Sequence, residues 1–208
     1  MLIRCSVLLL ILFAVCSCEV GAQTVVSVTS VTELRNAITT ANGNSTSYAL
    51  ELSTGSYVLS GNPLEDANAE GDLDITKSAG TLEIRPASGA TVTIDGGGVD
   101  RVIHVNNGIN APVTIRDLTI TNGLATDDGS SAGNGYGGGI FKIGAGGLTL
   151  QNVTITGNQA QGADGTNGAP GGIGATGTTG SGGMNALGGG LYSAAGNVQI
   201  DNCSFVSN

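Results

Sequence analysis

The chain has 208 residues, 36 of them glycine, with four prolines, four cysteines and no tryptophan, and 16 acidic residues against 7 Lys and Arg give a net charge of −9. A pI near 4.2 leaves no basic face to neutralise phosphates, which excludes nucleic acid and an anionic membrane surface as partners. Apolar residues at 40% against charged ones at 11% exclude a disordered chain and require a buried core.

The amino end reads as a secretory signal peptide over residues 1–22. Arg4 precedes an apolar run from Val7 to Val15 that is too short to span a bilayer, and Val20, Gly21 and Ala22 fit the small-residue cleavage rule, so the mature chain is expected to begin at Gln23. Lipoprotein processing at Cys16 or Cys18 is the competing reading and would change the anchoring. No later segment is long and apolar enough to cross a membrane. Cys5, Cys16 and Cys18 leave with the leader, so Cys203 has no partner for an internal disulfide and reads as a small buried apolar residue.

Residues 23–60 read as an N-terminal cap and first turn of strands. Ser30 and Glu33 match the Ser-x-x-Glu capping box, and Leu34, Ala37, Ile38 and Ala41 share one face at helical spacing. Such a helix would cover an edge of sheet that is otherwise open to neighbours. Tyr48 and Tyr57 flank the first strand region and are expected to pack beneath it. Next comes a run of acids, Glu65, Asp66, Glu70, Asp72 and Asp74. Alternation puts Asp72 and Asp74 opposite Leu73 and Ile75, and the simple expectation is a solvated acidic face; Glu70, Asp72 and Asp74 are its weak calcium candidates.

From residue 61 to 208 the sequence repeats. Residues 113–120, 148–155 and 198–205 each run apolar, any, apolar, any, Asp or Asn, apolar, any, apolar, which is two short strands joined by a polar bend. Weaker copies lie at 82–84, 92–94 and 102–105. Stacked in register, Ile115, Leu150 and Ile200 form one column, Leu118, Val153 and Cys203 a second, and Ile120, Ile155 and Phe205 a third. Asp117, Asn152 and Asn202 then fall on one line at the bend, a ladder of side chains bonding to one another. An Asn follows each pair, at 122, 158 and 208, and the Gly-rich segments 137–141 and 188–192 bring Phe141 and Tyr192 to equivalent places for ring stacking. Breaks of varying length disfavour hairpins and fit parallel strands, about 4.8 Å apart, whose corners can carry loops of any size. One such loop is the insertion at about 157–187, where glycine takes every third position from Gly162 to Gly183. With Pro170 its only proline, it would make a weak collagen helix and reads better as an excursion with polyproline-II-like pieces. The chain stops at Asn208, the last residue of a repeat, which suggests a truncated product.

The order of these motifs carries a resemblance. Residues 71–75, 82–85, 92–98 and 100–104, then Gly138, Gly139 and Ile140, Gly189, Gly190 and Leu191, and Phe205 to Asn208, resemble the bacterial right-handed parallel β-helix surface proteins, including the polymorphic outer membrane protein repeats. The resemblance spans nearly the whole mature chain. It implies an all-β fold, a right-handed parallel β-helix (solenoid) with a short N-terminal capping helix, in a secreted or cell-surface protein, with association to the outer membrane as one form of attachment. The long glycine loop and the lack of a terminal translocator depart from the family. The same fold class includes pectate lyases and polygalacturonases, so a polysaccharide lyase or hydrolase is the alternative.

Glycoside hydrolysis needs paired carboxyls across the sugar. The best-placed acids are Asp95 and Asp117, with Asp100 and Asp201 behind them, yet Asp117 shares a slot with two asparagines and Asp95 precedes three glycines as a turn residue would. Arg85, Arg101 and Arg116 have no lyase motif around them. His104 alternates with Ile103 and Val105 and is expected on the surface; as the single histidine it cannot form a multi-histidine metal site. Scarce aromatic rings disfavour a carbohydrate-binding cleft. The expectation is therefore a stalk, adhesin or interaction surface with no catalytic residue and no cofactor, its partners being host or cell-surface proteins or glycans.

Overall fold

The computed structural model describes residues 23–63, 65, 67–129 and 133–208, so the leader and Asp66 lie outside the described residues. Among the described residues strands dominate, there is one helix, and every strand pair is parallel. A first sheet pairs Thr24–Val28, Tyr48–Leu52, Leu82–Pro86, Val113–Arg116, Leu148–Gln151 and Val198–Asp201 in chain order. A second contains Gly55–Val58, Val92–Asp95, Thr119–Thr121, Thr154–Thr156 and Ser204–Val206, and a third Leu73–Ile75, Ile103–Val105, Ile140–Lys142 and Leu191–Ser193. Leu124–Ala125 pairs with Gln159–Ala160 and Gly135–Tyr136 with Ala186–Leu187 in two small ribbons. From Tyr48 onward the chain visits the first, second and third sheets in turn.

The register follows the sequence columns. Ile115 pairs with Leu150 and Leu150 with Ile200; Ile120 pairs with Ile155 and Ile155 with Phe205. Parallel pairing repeats the same side-chain parity in every strand, so a single alternation stacks apolar residues along the whole sheet. In the first and second sheets Leu82, Ile84, Val92, Ile94, Val113, Ile115, Leu148 and Leu150 are buried while their neighbours are half-buried. The third sheet breaks that rule. All residues of Leu73–Ile75, Ile103–Val105 and Ile140–Lys142 are buried, on both faces.

The helix, α1 (Val31–Asn42), buries Leu34, Ala37, Ile38 and Ala41 as their spacing predicts. Ser30 caps it by accepting from the Glu33 N–H at 3.2 Å, but the Glu33 carboxylate reaches past the cap residue to the Thr29 N–H and hydroxyl, both at 2.7 Å. No basic residue lies in its last turn. Lys77, fully buried, supplies the charge from outside by donating to the Ala41, Asn44 and Thr46 carbonyls at 2.8–3.0 Å, where the helix dipole favours a cation. Tyr57 is buried in the core and donates its hydroxyl to the Val28 carbonyl at 2.9 Å.

The glycine insertion is a two-armed excursion. Met184, Ser181 and Thr178 donate backbone bonds to Ala163, Thr166 and Ala169, so the arms run antiparallel and touch every third residue. Threefold spacing is the polyproline-II repeat, here paired within one chain rather than wound as a collagen triple helix. A Cβ on Gly165 or Gly168 would collide with the carbonyl oxygen of Ser181 or Thr178 on the facing arm, which accounts for the glycine period.

Candidate functional site

Both acids put forward for catalysis are tied into bends. Asp117, Asn152 and Asn202 all have positive φ, at 60°, 52° and 49°. Asp and Asn tolerate this left-handed region best among residues with a Cβ, which is why the slot holds only those two types. Asn202 donates its amide to Asn152 Oδ1 at 2.7 Å, and Asn152 donates to Asp117 Oδ1 at 2.8 Å, so the expected ladder is present. That bond from Asn152, with help from Arg116, holds the Asp117 carboxyl below the usual carboxylate range. Asp95 Oδ1 accepts from the Gly97 N–H and from the Asn122 amide, at 2.8 and 2.9 Å. Asp201 lies exposed on an outer strand face. Arg85 pairs with Glu51 and Glu83, and Arg116 with Glu83 and Asp117, as surface ion pairs.

The later asparagines split into two roles. Asn122 bends the chain at φ 56° and corresponds in register to Gly157 and Ser207, whereas Gly123 corresponds to Asn158 and Asn208. Asn158 is fully buried: it accepts from the Gly123 N–H and donates to the Ile120 and Thr156 carbonyls and to Asn208 Oδ1, at 2.9–3.2 Å.

The largest departure from expectation lies on the outer face of the third sheet. Asp72, Asp74 and His104 are 2%, 1% and 5% exposed, so neither the solvated acidic face nor the surface histidine survives. Alternation places them correctly, away from Leu73, Ile75, Ile103 and Val105, but other segments of the chain cover that side. Asn68 closes over Asp74: its N–H donates to Asp74 Oδ2 at 2.9 Å and its side-chain oxygen accepts from the Asp74 N–H. Arg35 of α1 donates to the Gly71 and Asp72 carbonyls, both at 2.5 Å. Glu70 stays outside, exposed and accepting from the Asn62 N–H, so the calcium candidates are not brought together as a set. His104 aligns in register with Asp74 on one side and Phe141 on the other, and its ring stacks on Phe141 with centroids 5.1 Å apart. Phe141 stacks in turn on Tyr192 at 5.8 Å, as predicted from their equivalent places.

Arg101 ties this layer together. Its guanidinium meets Asp72 Oδ2 at 2.9 Å, pairs closely with Asp127 Oδ1, donates to the Tyr136 carbonyl at 2.8 Å and lies over the Phe141 ring at 5.3 Å. Asp100, 2% exposed, accepts from the Arg101 N–H, and burial pushes its carboxyl up to about 6 against the pull of Arg101. Asp127 was invisible in the sequence. It lies in a non-repeating excursion, and only its place beside Asp128 and Gly129 marks a turn. His104 had a usable signal, since register puts it in the column of Phe141 and Tyr192.

A cleft of about 530 Å³ runs between α1 and the segments of Ser60, Gly61 and Ala67 to Glu70, and brings Arg35 and Glu70 to its wall. No helix among the described residues is long and apolar enough to cross a membrane. Comparison with protein-family models, curated proteins and solved structures found no match to the chain.

Proposed function

We propose that the chain is an exported right-handed parallel β-helix of the kind seen in non-catalytic bacterial surface proteins, acting as a structural stalk, adhesin or interaction surface. The order in which the chain visits three parallel sheets supports the coil, because a repeating three-strand path with parallel neighbours is what a β-helix requires. The observation that carries the functional half is the fate of the acids. Asp95 and Asp117, the best candidates for sugar chemistry, spend their oxygens on asparagine amides, a backbone N–H and Arg116. Asp72, Asp100 and Asp127 are buried around Arg101, where no saccharide reaches them. A lyase or hydrolase would need such groups facing an open cleft. The partners of the outer surface would be host or cell-surface proteins or glycans.

The test is to incubate the exported chain, from Gln23, with acidic and neutral polysaccharides, with and without Ca²⁺, following new reducing ends and the absorbance of unsaturated products. No product is expected from any of them. Cleavage that disappears in Asp95→Ala or Asp117→Ala would replace this reading with an enzyme whose site lies on the bend line.

A further inference from the structure

The buried layer over the third sheet contains more negative charge than its own cations answer. Asp72, Asp74, Asp100 and Asp127 are each at most 3% exposed. Facing them are two guanidinium groups, Arg101 in direct ion pairs and Arg35 bonded to the neighbouring carbonyls and drawn by the charges of Asp72, Asp74 and Asp100. Among the described residues four carboxyl groups face two guanidiniums and the one imidazole of His104, so acid outnumbers base even with the imidazole counted, and buried charge is tolerated only when paired or metal-bound. Donor atoms are left over as well. Asp74 Oδ1, Asp127 Oδ2 and His104 Nε2 are buried without a hydrogen-bond partner, and His104 Nδ1 faces Asp74 Oδ1 at 3.3 Å without forming a hydrogen bond.

We propose that Asp72, Asp74 and His104 bind one divalent transition-metal ion of the Zn²⁺ or Mn²⁺ class. One ligand atom from each lies within 4.8 Å of the others, a spread that ligand bonds of about 2.0–2.4 Å can close around one ion. The topology brings them together: Asp74 projects from the strand Leu73–Ile75, Asp72 stands two residues earlier, just before that strand, and His104 is in register with Asp74 on the next. An imidazole beside two carboxylates favours zinc or manganese over Ca²⁺, which takes six to eight oxygen ligands. Arg101 on Asp72 Oδ2 and the Phe141 ring against the imidazole would orient two of the ligands, as outer partners do in metal sites. The ion would fasten the Asn68 segment to the sheet. The inference is independent of what the outer surface binds.

His104 is the chain's single histidine, so the two imidazole ¹⁵N resonances of untagged protein report the site without any substitution. After chelator treatment, full-chain protein is titrated separately with Zn²⁺, Mn²⁺ and Ca²⁺, with bound metal counted by elemental analysis after dialysis. The expected result is one Zn²⁺ retained per chain, a large shift of one imidazole nitrogen saturating at one equivalent, competition by Mn²⁺ and a raised melting temperature. Asp74→Asn should lower zinc affinity at least tenfold, while Asp201→Asn, at an exposed acid, should leave it unchanged. Imidazole resonances that do not move with Zn²⁺, or retention of Ca²⁺ alone, would overturn the proposal whether or not the variants fold.

Discussion

At the scale of single residues, the bends are decided by backbone conformation before any side-chain bond forms. Asn152 sits at φ 52° with its amide between Asp117 and Asn202. For a residue with an ordinary Cβ that conformation costs about 1–2 kcal/mol, whereas an exposed amide bond contributes about 0.5–1.5 kcal/mol net. Asn152→Ala loses both, and Asn152→Gly loses only the bonds because glycine enters this region freely. The alanine variant should therefore unfold at lower urea than the glycine variant, by about 1 kcal/mol at equal slope. Equal midpoints would mean that the ladder, not the φ, fixes the residue type. The Asp or Asn at this slot was legible because three copies of the repeat carry it. The burial of Asp74 and His104 was not: alternation tells which side of a strand a residue takes, and it is the turn at Asn68 together with Arg35 and the Asp127 excursion, the last two distant in sequence, that cover this side.

At the scale of elements, the glycine arms and α1 differ in how they are held. α1 is anchored by a buried face and by Lys77 at its carboxyl end, so it belongs to the core. The arms are exposed along their length and held mainly by cross-arm backbone bonds. Gly168→Val would place a branched side chain against the Thr178 carbonyl and push the arms apart. Proteolysis between residues 163 and 184 should become at least several-fold faster, while the melting temperature of the rest changes by no more than a degree or two, since few core contacts depend on this element. A matching fall in melting temperature would show instead that the excursion braces the sheets. The period of three pointed to polyproline-II-like geometry, but a triplet pattern alone cannot distinguish self-pairing from pairing between chains. What distinguishes them is the tip at Gly172 to Ala175, where the Ala175 N–H bonds the Gly172 carbonyl and reverses the chain.

At the scale of the whole molecule, stability should pass from strand to strand rather than through one central core. The parallel first sheet lines up Leu50, Ile84, Ile115 and Leu150, each fully buried and each paired with the next. Strands about 4.8 Å apart put neighbouring side chains in contact and put Leu50 about 14 Å from Leu150. Residues in contact usually show interaction energies of 0.5–3 kcal/mol in double-mutant cycles, whereas sites beyond about 10 Å add within about 0.5 kcal/mol. The stacking columns were readable because the apolar period and the bend residue recur together, and they make the outcome specific. Ile115→Ala with Leu150→Ala should deviate clearly from additivity, because the first truncation leaves space that the second enlarges and the surrounding strands can partly close. Leu50→Ala with Leu150→Ala should be additive, although both remove the same methyl-bearing atoms from the same sheet face. Urea unfolding of the three single and two double variants measures both terms. Strong coupling between Leu50 and Leu150 would mean that the sheets share one cooperative interior, and the nearest-neighbour picture of the repeat would have to be abandoned.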